Sequence, residues 1–264
     1  MPAVSIEPYL SPAALSIGLT KLPEHISTFL WSFLAFTFIH LVIAPFVSQK
    51  LFPDTYGKMN KKAKRNWCAH VVSQAHVVVV VPLALSCLGL EGLRTDRAYG
   101  WSEEKIGTLT AISSGYFLWD ALEAISTWSD IGFVIHGLAC LSVYMLSFKP
   151  FLAYYTARCL LWEASTFFLN IHWFLDKTNR TGSTLQLING LCLLGTFFAV
   201  RLAYGGIYLS YNLAHTLYAV RNDVPVIYLL VFGGGDIVLQ GLNWLWFAKI
   251  IAAVHKRFSK QPVA

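Results

Sequence analysis

Residues Trp67–Leu88 read WCAHVVSQAHVVVVVPLALSCL and follow, after Asn66, on the basic run Lys61-Lys62-Ala63-Lys64-Arg65. This stretch holds no Asp, Glu, Lys or Arg, and it is longer than the roughly 20 apolar residues that a bilayer-spanning helix needs. Lysines and arginines crowd its first end, where they can meet lipid headgroups. The segment therefore reads as a transmembrane helix. Comparable runs lie on either side of it, at Thr28–Val47 before and at Ile106–Ala124, Ile131–Phe148, Phe151–Leu175, Leu185–Tyr204 and Val224–Ile251 after. The middle ones carry polar residues, and Leu209–Val220 is either a short interfacial helix or an extension of the sixth span. The sequence thus predicts an all-α, polytopic transmembrane bundle of about seven helices, with six as the alternative.

Composition agrees. Apolar residues make up 56% of the 264 positions and charged residues only 13%. A soluble domain carries roughly a quarter charged residues, so lipid must cover much of this surface. The runs leave no stretch long enough for a separate soluble domain. Residues 1–27 form an N-terminal segment without a basic leader, which makes the first span an uncleaved anchor. Residues 28–64 hold that span and the basic loop, and 253–264 form a basic tail. No lipidation signal is expected at either end.

The five cysteines all fall in apolar runs with no disulfide or zinc spacing, and they read as small buried residues. No metal or cofactor is expected. The net charge of +6 is concentrated at helix ends, which favours membrane lipids as partners and argues against nucleic acid. The sequence names no protein partner.

Short-loop charge sets the expected orientation. The loop after the first helix, the loop after the fifth and the end of the seventh hold twelve lysines and arginines. The opposite side holds six: Lys21, Arg94, Arg97, Lys105, Lys149 and Arg221. The N-terminus is expected outside the cytoplasm and the C-terminus within it. Asn179-Arg180-Thr181 is a glycosylation sequon on the expected cytoplasmic side, where it could not be used.

A charge in mid-bilayer costs at least about 2.5–3.5 kcal/mol, so each asks for a reason. The third helix carries Tyr116, Asp120 and Glu123 on one face, and the fourth carries His136. The fifth carries Arg158 and the stripe Glu163, Thr166, Asn170. Asn189 and Arg201 lie on the sixth, the stripe Asp236, Gln240, Asn243 on the seventh, and His70, Ser73 and His76 on the second. Two readings stand side by side. Such residues hydrogen-bond helices to one another, with Glu163 and Arg201 neutralising each other; or they line a polar cavity for a lipid. Asp120 and Glu123 could share a proton, and His136 could serve as a general base or acyl acceptor. His70 and His76 are six apart, off the spacing of helical metal ligands. The triplet Gly233-Gly234-Gly235 follows no strand and reads as a close helix contact or a kink.

Several strings resemble a known family. Arg65-Asn-Trp67 with His70, Ser73 and His76 looks like the start of the TLC domain, which ceramide synthases share with several smaller membrane proteins. Gly115-Tyr116-Phe117 with Asp120, His136, and Glu163-Ala-Ser165-Thr166 with Phe168-Leu169-Asn170 and Trp173 continue the likeness. So do Asn189-Gly190, Phe197-Phe198, Arg201, Leu242-Asn243, Trp246-Phe247 and Lys249. The resemblance covers about Arg65 to Lys249, implies a membrane domain over 65–252, and is closest to the small transmembrane-protein-56-like branch. Ceramide synthases carry two adjacent histidines and a downstream Leu-His-Asp…Asp motif. Here Gly137 follows His136, and the downstream region reads Leu169-Asn170-Ile171-His172.

The resemblance implies a lipid-related role in the endoplasmic reticulum or a neighbouring endomembrane. The first functional reading is a non-enzymatic protein that binds a lipid or acyl chain in its bundle and tunes membrane composition or trafficking. Sphingolipid or fatty-acyl species are the expected lipids. The alternative is a membrane acyltransferase, with acyl-CoA as co-substrate and His136 and Asp120 as its catalytic residues. A transporter or receptor is the third, disfavoured because no inverted repeat with broken helices is visible.

Overall fold

The computed structural model describes residues 7–128 and 130–259. Lys260 and the last four residues of the expected tail lie outside the described residues, as do the first six. Nine helical rods are described: α1 (Glu7–Ser16), α2 (Leu22–Leu51), α3 (Lys61–Cys87), α4 (Glu91–Thr95), α5 (103–127), α6 (Ile131–Leu146), α7 (153–177), α8 (Thr184–Ala219) and α9 (Val226–Ser259). No strand occurs among the described residues.

Local chemistry sets the ends of these rods. Asn60 caps α3 by accepting from the Ala63 N–H (2.9 Å), Asp130 caps α6 through Gly132 (2.8 Å), and Ser183 caps α8 through Gln186 (3.2 Å). Pro23 sits in the first turn of α2, where its missing N–H costs nothing. That start at Leu22 places the first span six residues earlier than the apolar run predicts. At its other end α9 runs on to Ser259, so residues 253–259 continue the helix.

Four rods, α2, α3, α8 and α9, are both long and apolar enough to cross a membrane. The apolar α6 has 16 residues, about 24 Å at 1.5 Å per residue, so it needs its flanking turns to match the hydrocarbon core. Rods α5 and α7 have the length but carry the polar residues. Seven long rods result. Residues 209–219 are the far end of α8 rather than a separate interfacial helix.

The seven rods close into a ring in the order α2, α5, α6, α9, α8, α7, α3. Small residues draw neighbours together. A Cβ on Gly115 would lie 2.6 Å from the Phe29 carbonyl oxygen of α2, and one on Gly137 would lie 3.0 Å from Ala121 Cα of α5. Of the Gly233–Gly235 triplet, Gly235 lies tight against Val143 of α6, whereas Gly234 faces open space. Outward faces are greasy: Trp31, Leu41, Ile207, Ile237 and Leu245 are all strongly exposed. Inside, an aromatic layer stacks His76 on Tyr116 (ring centroids 3.6 Å, 4° apart), with Phe36 and Phe117 at their edges.

At one rim, Lys21 forms an ion pair with Glu103, which also accepts from Trp101 Nε1 (2.9 Å). This clasp joins the start of α2 to the first turn of α5. Partial burial pushes the Glu103 carboxyl up, but the bonds from Lys21 and Trp101 outweigh it and hold it below the ordinary carboxylate range.

Candidate functional site: a buried arginine hub

One cation organises the interior. Arg201 is buried, and its Nε donates to Ser165 Oγ (2.9 Å) while Nη1 donates to Asn243 Oδ1 (3.1 Å). Its Nη2 donates to Thr166 Oγ1 (3.0 Å) and pairs with Glu163 Oε1 at 3.4 Å. Helices α7, α8 and α9 thus converge on a single guanidinium. The expected neutralisation of Arg201 by Glu163 is present, and Thr166 and Asn243 complete it. Ser165 was not singled out from the sequence. Its signal was its place between Glu163 and Thr166 in the quoted string.

The backbone that carries Arg201 is unusual. Over Phe198–Leu209 the hydrogen bonds run i→i+5, a π-helical stretch of twelve residues. Such winding normally lasts a single turn and is frequent at functional sites. Within it a Cβ on Gly205 would lie 2.5 Å from Trp162 Nε1, and one on Gly206 would lie 2.9 Å from Gln240 Oε1. The glycine pair lets α8 approach α7 and α9 together. Sequence reasoning passed over Gly205, Gly206 and Trp162, because small residues and a lone indole carry no periodic signal.

The two polar stripes behave differently. Asp236, Gln240 and Asn243 all face α8: Asp236 accepts from Ser210 Oγ (2.9 Å), Gln240 lies against Gly206, and Asn243 holds Arg201. The α7 stripe splits. Glu163 and Thr166 turn to Arg201, whereas Asn170 turns to α3. There it accepts from His70 Nδ1 (2.8 Å) and donates to Ser73 (3.1 Å) and Gln74 (3.2 Å). The Leu160–Trp162 segment ahead of the stripe is 3₁₀-wound, so α7 is not one uniform helix. Asn189 donates to the Phe168 carbonyl (2.9 Å), and His70 stacks on Trp173 at 4.1 Å.

Asp120 and Glu123 do not bond to each other. Both Glu123 oxygens are bound by Arg65 (2.7 and 2.6 Å), because the last turn of α5 lies beside the basic start of α3. Asp120 has no hydrogen-bond or ion-pair partner among the described residues. Among the residues expected to line a cavity, Glu163, Thr166 and Asn243 bond to Arg201, and His70 bonds to Asn170, across helices. A 430 Å³ groove lies between α2 and α5, lined by Trp31, Ser32, Phe36 and Ile112 among others. A 350 Å³ pocket lies at the α4 end of the bundle. Of the residues expected to line a lipid cavity, only Arg158 borders either one.

His136 lies on α6, beside Cys140 (3.8 Å) and edge-on to Trp246 (5.4 Å between centroids). It hydrogen-bonds to no carboxylate among the described residues. The next residue, Gly137, is pressed on Ala121, so a side chain there would make the α5 backbone give by a few tenths of an ångström. Several polar atoms around the hub are buried without a partner among the described residues: both amide atoms of Gln240, Asn243 Nδ2 and Trp162 Nε1. Both ring nitrogens of His76 are in the same condition.

A ring of helices, four of them long and apolar enough to cross a membrane, apolar outside and knit inside by an arginine hub, defines a multi-pass integral membrane protein with a polar interior. Residues 66–252 match the TLC domain, and the chain belongs to that family. It is 39% identical to an uncharacterized TLC domain-containing protein of Schizosaccharomyces pombe, over 96% of this chain and 87% of the relative. Identity to topoisomerase I damage affected protein 4 of Saccharomyces cerevisiae is 30%, covering 96% and 91% of the two chains. Identity to TLC domain-containing protein 4 of Homo sapiens is also 30%, covering 83% and 85%. No solved structure matches the chain.

Proposed function

We propose that this TLC-domain protein binds a lipid through the polar interior of its ring and serves lipid homeostasis in an endomembrane such as the endoplasmic reticulum, without catalysing acyl transfer. One observation carries the reading: the unpartnered polar atoms gathered around Arg201. Native interiors pair about 90% or more of their buried polar groups, so a cluster of exceptions beside a buried cation suits a polar or acidic head. Sphingolipids and fatty-acyl species carry such heads, and the groove beside Phe36 is apolar enough to hold part of a chain. The link of the family to lipid metabolism points the same way.

The alternative, acyl transfer from acyl-CoA by His136 and Asp120, has weaker support. A general base needs an orienting partner and room for the acceptor, whereas His136 has a thiol and an indole beside it. The charge bias of the short loops supports a cytoplasmic C-terminus. The test combines lipid analysis with an assay. Purified, reconstituted protein is extracted for copurifying lipid, then given acyl-CoA with sphingoid bases, lysolipids and glycerolipids. A stoichiometric lipid without transfer supports binding. Transfer that vanishes in His136→Ala would overturn it in favour of the acyltransferase.

A further inference from the structure

The 350 Å³ pocket at the α4 end is lined by Leu88, Arg94, Arg97, Tyr154, Arg158 and Tyr208. Three arginines border it and no carboxylate does. Among the described residues none of the three forms an ion pair, so the pocket concentrates positive charge that the protein itself leaves uncompensated. Asp96, between Arg94 and Arg97 in sequence, bends back to accept from the N–H groups of Ala98 and Tyr99.

The innermost arginine is fixed in place. Arg158 is 6% exposed, its guanidinium lies 3.5 Å from the Tyr154 ring centroid, and it donates to the carbonyls of Tyr154 and Leu88, both at 3.0 Å. Arg97 also lies over Tyr154, at 5.1 Å, and is held by Asn212 Oδ1 at 2.7 Å. Carbonyl and ring contacts orient a guanidinium without cancelling its charge, and orientation is what a forked donor needs to grip a tetrahedral anion. Burying such a charge is costly unless an anion joins it. Arg94 is exposed at the mouth, and Tyr208, about half exposed, stacks on Tyr204 at the flank, as amphipathic rings do at a membrane interface. The volume falls in the range of small-ligand sites, roughly 300–1,000 Å³.

We propose that Arg94, Arg97 and Arg158 form a binding site for a phosphate group, supplied by the headgroup of an anionic phospholipid or by a soluble phosphate ester. The site is distinct from the Arg201 hub and does not depend on it.

The test uses the full-length protein in zwitterionic nanodiscs, with Arg94→Gln/Arg97→Gln as the main variant and Arg158→Lys as the second. Native mass spectrometry counts bound phosphatidic acid, phosphatidylcholine and diacylglycerol, and inorganic phosphate and glycerol phosphate are titrated as competitors. Wild type should retain phosphatidic acid over the other two lipids. The double variant, whose changes lie toward the mouth and which should melt like wild type, should lose affinity at least about tenfold, as expected when a charge-assisted hydrogen bond is removed. Arg158→Lys keeps the charge but loses the fork, and should fall between the two. Displacement by glycerol phosphate would identify a soluble ester as ligand, and resistance to it a lipid headgroup. Equal retention by wild type and double variant, or no preference for phosphatidic acid with no phosphate binding, would overturn the proposal.

Discussion

At the residue scale, Arg201 is where substitution should hurt most. Removing one member of a buried ion pair strands the other and costs about 3–5 kcal/mol. Arg201→Met should therefore lower the melting temperature in nanodiscs sharply, while Arg201→Met with Glu163→Gln should recover part of the loss. Equal melting of the single and double variants would show that the pair is not coupled. Gly137 gives a second forecast. Placing a histidine there, to rebuild the paired histidines of ceramide synthases, should destabilise the chain by about 1–3 kcal/mol and confer no acyl transfer, because the new Cβ meets the Ala121 backbone. Activity from Gly137→His at wild-type stability would refute this. Residue identities such as Arg201 and Glu163 were readable as a pair, since opposite charges inside apolar helices seek each other. Asp120 with Glu123 was not readable: three-residue spacing puts them on one face, yet only the fold reveals that Arg65 claims Glu123.

Among the elements, the clasp between the start of α2 and the first turn of α5 is the part most sensitive to pH. The Glu103 carboxyl is held below its ordinary value, so its contribution is present above the unfolded pKa and is lost as pH falls through the lower folded one. The protection of amides at 22–26 and 103–108, relative to their intrinsic exchange rates, should therefore fall below about pH 4, and Glu103→Gln should remove that dependence. Unchanged protection across the acid range would assign the contact no role in stability. The rough positions of the long rods were legible from apolar runs, because a helix that faces lipid must cover itself with greasy side chains. The ends of α2 and α9, the fusion of 209–220 with α8 and the π winding were not legible, since they depend on proline placement, on neighbouring rods and on which glycines are squeezed.

For the whole molecule, the ring leaves its orientation open to a direct check. If the C-terminus is cytoplasmic, Asn179 between α7 and α8 stays unmodified, and Asn179→Gln should leave the electrophoretic mobility of protein from a glycosylating host unchanged. A shift would turn the bundle over, with the basic loop and α9 end on the luminal side. The general character of the interior was legible as a set of polar residues on successive helices. Its division into a hub, a rim salt bridge and a separate arginine pocket needed the ring order, because α7 and α8 contribute to more than one of them. The twelve-residue π stretch of α8 also bears on how such chains diverge. A helix advances about 100° per residue, so losing one residue there would keep the span intact while swinging everything on its far side around the axis. Insertions and deletions at this one place thus offer a descendant a route to a different interior without a new helix. When relatives are aligned, a single-residue gap between 198 and 209 would signify more than many substitutions elsewhere.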